Sequence, residues 1–168
     1  MRFYHQTSPE IVMHLINSKV FISCTLADDH GLNGYVGKNQ VNGQALENEG
    51  AELVLKWLGH VEEINAYEVP VSKMEKNVLY SQFNQAEFYM TKTRWREFVP
   101  APLNKNLLQI VNIRFLNGNR IDQFIHYPKW HKVIPRKFRR DLERDFKLKF
   151  IKNLRDKYVN NDLFLQIK

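Results

Sequence analysis

The sequence predicts an α+β fold with helices early, an antiparallel strand-rich middle and a long basic amphipathic helix near the C-terminus. Three observations predict it. A short apolar run ends at His5 and is followed by Thr7-Ser8-Pro9-Glu10, a helix-start signal. From residue 64 to 125 apolar residues recur at strand spacing, with Asn117-Gly118 as a hairpin turn. Phe138, Leu142, Phe146, Phe150, Leu154 and Tyr158 then recur every four residues, the period of one helix face.

Taken in order, residues 2–5 read as a strand. Thr7 or Ser8 caps the helix that follows, with Glu10 beside its positive end and Ile11, Val12, Leu15 and Ile16 on its apolar face. Residues 20–23 read as a second strand. Residues 28–43 carry Gly31, Gly34, Gly37 and Gly43 among Asn and Asp, which is loop chemistry. A helix is expected over 44–58, with Leu46, Leu53, Val54, Trp57 and Leu58 inward and Gly59 as its stop. Strands are expected over 64–71, 78–80, 86–90, 94–99, 107–115 and 120–125, and the last helix over 135–158.

The chain of 168 residues is expected to form a single domain over 1–168. It has no apolar run of about 18 residues, so no membrane span is expected. Nothing at its start resembles a secretory signal, and Cys24 is the only cysteine, so no internal disulfide is possible. A cytoplasmic setting is the expectation. The net charge of +7 is localised. Residues 1–128 hold 12 Lys+Arg against 13 Asp+Glu, whereas residues 129–157 hold 12 against 4. A neutral body with one basic segment points to a polyanionic partner.

Two places concentrate chemistry. His5 stands at a strand-to-helix turn with Tyr4, Thr7 and Ser8, where hydroxyls and helix N-terminal amides suit ribose and phosphate groups. Alternatively, His5 is an inert hydrogen-bonded strand-end histidine. Glu97 follows Trp95 and precedes Phe98 and Val99, and a carboxylate on a largely apolar strand face is costly unless paired or working. A surface glutamate paired with arginine is the plainer reading, and Glu87 in Gln85-Ala86-Glu87-Phe88 has a similar setting.

Tyr4-His5-Gln6-Thr7-Ser8 before a helix resembles the opening element of ADP-ribosyltransferases of the His-Tyr-Glu class. The segments that follow are similar in order: Val20-Phe21-Ile22-Ser23, then Tyr35, then Asn65-Ala66-Tyr67-Glu68-Val69 with Val78-Leu79. Last comes Arg96-Glu97-Phe98-Val99-Pro100 before Leu107-Leu108-Gln109-Ile110-Val111. The resemblance covers about residues 3–113. It implies a split β-sheet core with flanking helices, with residues 1–128 binding NAD as co-substrate and 129–168 as a basic helical extension. It implies that His5 binds a ribose, that Thr7 and Ser8 help hold the dinucleotide, and that Tyr35 stacks on nicotinamide. It implies that Glu97 is catalytic, stabilising positive charge on the ribose as nicotinamide leaves. Tyr35 is equally read as a packing aromatic at a loop base. Arginine-modifying members carry Glu or Gln two residues before the catalytic glutamate; Trp95 stands there, which disfavours that activity.

Some members modify DNA or RNA, as toxins or phage-defence effectors. The basic helix, with Arg136, Lys137, Arg139, Arg140 and Arg144, is the expected target-binding surface, for nucleic acid or else a protein such as an antitoxin. Tyr127, Trp130 and His131 either stack on bases or anchor the helix. Rival readings are a non-enzymatic nucleic-acid- or protein-binding module and an NAD-dependent RNA 2′-phosphotransferase using Arg2, Arg94 or Arg96. No metal is expected: Asp28-Asp29-His30 is a lone acidic cluster without ligand spacing elsewhere.

Overall fold

The computed structural model describes residues 1–23, 31–36, 50–67, 96–115 and 120–168. The expected strands at 78–80 and 86–90, the Asn117-Gly118 turn, Glu87, Cys24 and Asp28-Asp29-His30 lie outside them.

The architecture is α+β. Among the described residues eight strands form one mixed sheet: β1 (Arg2–Thr7), β2 (Val20–Phe21), β3 (Gly31–Tyr35), β4 (Ala51–Trp57), β5 (Asn65–Tyr67), β6 (Arg96–Pro100), β7 (Leu103–Phe115) and β8 (Leu163–Ile167). Their spatial order is β2-β8-β7-β4-β1-β3-β6-β5. All pairings are antiparallel except β2 with β8.

Helix α1 (Pro9–Ser18) starts as its residues dictate: the Ser8 hydroxyl accepts from the Ile11 N–H, with Pro9 in the first turn. It ends where Lys19 turns left-handed at φ 61° and donates its N–H to the Leu15 carbonyl. Its buried face, Val12, Leu15 and Ile16, packs with Phe3, Leu53, Leu55, Ile110 and Leu165. Helix α2 (Arg136–Leu154) continues as a π-helical turn, Arg155–Val159, and adds Leu154, Phe150 and Tyr158 to that same core.

The sheet curls. Four strand steps separate β2 from β1, about 19 Å if the sheet were flat. Yet the rings of Phe21 and His5 meet edge-on with centroids 5.7 Å apart. The core sits inside that curl, and His5 stands on its concave face.

Four expectations are corrected. Residues 51–57 of the expected helix 44–58 form strand β4, because Ala51, Leu53, Leu55 and Trp57 alternate onto the core while Glu52 and Lys56 take the other face. The glycine-rich segment 28–43 contains strand β3 rather than loop alone. Residues 120–125 are a turn and a short 3-10 helix, Asp122–Phe124, not a strand. The segment after 129 is not wholly helical, since β8 returns to the sheet and buries Leu163, Leu165 and Ile167.

Candidate active site

Strand pairing brings the predicted site residues together. Tyr4 pairs with Tyr35 across β1 and β3, which sets His5 opposite Gly34, and Gly34 pairs with Glu97 on β6. His5, Gly34 and Glu97 therefore form one transverse row on one face of three adjacent strands. Two strand spacings put His5 and Glu97 about 10 Å apart along it. The same row continues through Leu53 and Ile113, both fully buried, so it opens onto the core side of the sheet.

Gly34 is required in the middle of that row. A Cβ there would lie 2.5 Å from Cδ2 of Phe3 and 2.8 Å from the Tyr4 carbonyl oxygen. The Phe3 ring leans over the glycine, and β1 and β3 approach closely because of it.

His5 is half-buried, and its Nδ1 lies 2.7 Å from the Asn33 carbonyl. A carbonyl only accepts, so Nδ1 carries the proton in this contact. Glu97 is fully buried, on the face that Leu32 and Val99 also occupy. Thr7, also buried, shares the face of His5 at the end of β1. The Ser8 hydroxyl is engaged as the α1 cap. Tyr35 lies on the middle strand, in a strand rather than the expected loop, and alternation turns it to the opposite face from His5 and Glu97.

The opposite face holds a polar row that the sequence reading missed. Gln6, Glu52 and Arg114 are direct partners on β1, β4 and β7. Glu52 is fully buried, with Arg114 Nη1 at 2.6 Å and Gln6 Nε2 at 3.4 Å. Beside it lies a cleft of about 370 Å³ lined by Arg2, Tyr4, Asn112, Arg114 and Arg155. A second cleft of about 360 Å³ lies by Trp57, Glu63, Pro102 and Lys105. Neither is lined by His5 or Glu97.

Scanned against protein-family models, the curated proteins and the solved structures, the chain finds no match. The geometry alone therefore bears on function. Among the described residues no group of three His, Cys, Asp or Glu is placed to hold a metal ion. Among them, too, no helix is long and apolar enough to cross a membrane.

The basic segment is built differently from its sequence pattern in two respects. Arg136, Lys137, Arg140 and Arg144 are exposed, and Arg144 lies 3.6 Å from Asp141. Arg139 instead donates to the Lys132 and Ile134 carbonyls at 2.7 and 2.9 Å, holding the turn before α2. Phe138, expected on the packed stripe, is 63% exposed. Tyr127 and His131 stack on each other with centroids 4.7 Å apart, and His131 is buried against Glu143 at 2.9 Å. They anchor the helix. Burial and the Asp122 carboxylate, which accepts from its hydroxyl at 2.6 Å, hold the Tyr127 phenol well above its ordinary range.

Proposed function

We propose that this chain is an NAD-dependent mono-ADP-ribosyltransferase with an ADP-ribosyltransferase-like sheet, acting on a macromolecular target, most simply nucleic acid. One observation carries the reading. His5 and Glu97, named by the motif order, share one row and one face, separated only by a glycine.

The residues fit the co-substrate. The His5 imidazole, oriented by the Asn33 carbonyl, is a group of the kind that hydrogen-bonds a ribose hydroxyl, and Thr7 lies on the same face. Glu97 holds its carboxyl group buried away from bulk water, where a carboxylate offsets positive charge far better than in water. NAD supplies a glycosidic bond whose cleavage builds positive charge on the ribose. Glu97 stabilises that charge and orients the sugar, and His5 fixes the dinucleotide. Ser8 contributes through the α1 terminus it caps, and Tyr35, which faces away from His5 and Glu97, is given no stacking role.

A second reading, an NAD-dependent RNA 2′-phosphotransferase, is favoured by the arginine-lined cleft of Arg2, Arg114 and Arg155. Incubation with NAD and single- or double-stranded DNA, RNA or protein, followed by mass spectrometry, separates the two. The proposal expects one added ADP-ribose with wild type and none with Glu97→Gln. Loss of a 2′-phosphate from RNA without a stable adduct on it favours the second reading. No NAD-dependent change on any target sinks both.

A further inference from the structure

The turn that leads into α2 forms a surface unlike the rest of the helix. A 3-10 helix, Lys129–Val133, precedes α2, and in such a helix residues three apart eclipse. Trp130 and Val133 therefore share one side, and Lys129 and Lys132 another. Trp130 is 52% exposed, Val133 81% and Phe138 63%. Arg136, Lys137 and Arg140 are exposed beside them, and no acidic residue occurs between Lys129 and Arg140.

This corner is braced by its own contacts. Arg139 ties the Lys132 and Ile134 carbonyls, and the stack of half-buried Tyr127 on buried His131, with Glu143, supports it from beneath. The backbone that carries its exposed aromatics is thus braced before any ligand arrives. A braced backbone leaves less ordering entropy to lose on binding.

We infer that this corner binds single-stranded nucleic acid, with bases stacking on Trp130 and Phe138 and backbone phosphates held by the surrounding lysines and arginines. Separated aromatic platforms, each flanked by cations, are what an unpaired strand requires. A duplex hides its base faces from such side chains. An anionic membrane would need a continuous apolar helix face. Here that face of α2, with Phe150 and Leu154, is spent on the core, and its solvent side carries Asp141 and Asp145 among its cations. The inference rests on the nucleic-acid reading of the target but is independent of NAD cleavage.

Fluorescence anisotropy of the full chain with labelled single-stranded DNA and RNA oligonucleotides, their duplexes, and phosphatidylserine vesicles tests it. Single strands bind more tightly than duplexes, with a log–log salt slope of magnitude up to about 3.5 for five cations. Trp130→Ala and Phe138→Ala each weaken binding about tenfold. Leu148→Ala, which removes an exposed apolar residue farther along α2, leaves it unchanged. Equal affinity for duplex, equal loss with Leu148→Ala, or Trp130-dependent binding to vesicles alone overturns the inference. These variants keep any melting-temperature rise that NAD produces in wild type, so failure here is distinct from failure of the NAD site.

Discussion

Arg114→Met tests what locks the central strands in register. Gln6, Glu52 and Arg114 are direct partners in the row next to His5, Leu53 and Ile113. A slip of one residue would exchange the faces of both rows. Glu52 is fully buried and Arg114 22% exposed, with 2.6 Å between their charged atoms. Removing the arginine leaves a buried carboxylate with the 3.4 Å Gln6 contact as its remaining hydrogen bond among the described residues. Breaking a buried pair this way costs about 3–5 kcal/mol, against about 1 kcal/mol or less for a surface pair. In a chain of this size each kcal/mol shifts Tm by about 2–4 °C, so a loss of about 6–20 °C is expected. Adding Glu52→Gln to Arg114→Met removes the uncompensated charge and recovers a large part of the loss. Urea unfolding of wild type, both single variants and the double gives the coupling. A cost below about 1 kcal/mol for Arg114→Met, or a double variant no better than the single, refutes the reasoning.

Three further outcomes follow from the same structure. Gly34→Ala places a methyl against Phe3 and the Tyr4 carbonyl, and should cost about 1–3 kcal/mol in denaturant unfolding. Leu165→Ala in β8, fully buried, should cost about 2–5 kcal/mol; a negligible cost would mean that the last strand is not part of the core. Burial pushes the Glu10 carboxyl up. Hydrogen bonds from its own backbone, Ser8 and Gln123, together with the Arg120 charge, outweigh this and hold it below its ordinary 4.5. A depressed folded value gives stability that is present above pH 4.5 and is lost as pH falls through the folded pKa. The melting-temperature difference between wild type and Glu10→Gln should therefore shrink below that pH, and a constant difference would contradict the assignment.

The start of the chain was legible because its signals agree: an apolar strand, a Ser cap, a proline in the first turn and helical spacing all point one way. The register row of the candidate site was not, because pairing is non-local. Strand β4 was misread because Leu53, Val54, Trp57 and Leu58 also fit helical spacing. The decisive pattern was the alternation of Ala51, Leu53, Leu55 and Trp57 with Glu52 and Lys56. Strand β3 was hidden by its glycines, which mark close approach rather than a turn. A Cβ at Gly31 would lie 2.2 Å from the Val99 carbonyl oxygen and 2.7 Å from the Phe98 ring. In residues 120–125 β-compatible residues suggested a strand, but Asp122 serves instead as a hub for Tyr127 and Lys147. Phe138 kept the four-residue spacing yet lies in the first turn of α2, where the described residues leave it exposed.

Release of nicotinamide from NAD by wild type and Glu97→Gln, in the presence of single-stranded nucleic acid, decides whether Glu97 is a catalytic carboxylate. Glutamine keeps the shape of a fully buried residue and removes its charge. Wild type should release nicotinamide in a target-dependent way, and the variant should be slower by about a hundredfold or more, the usual scale for losing one fixed electrostatic group. Release at equal rates by both proteins, or by neither, would contradict it.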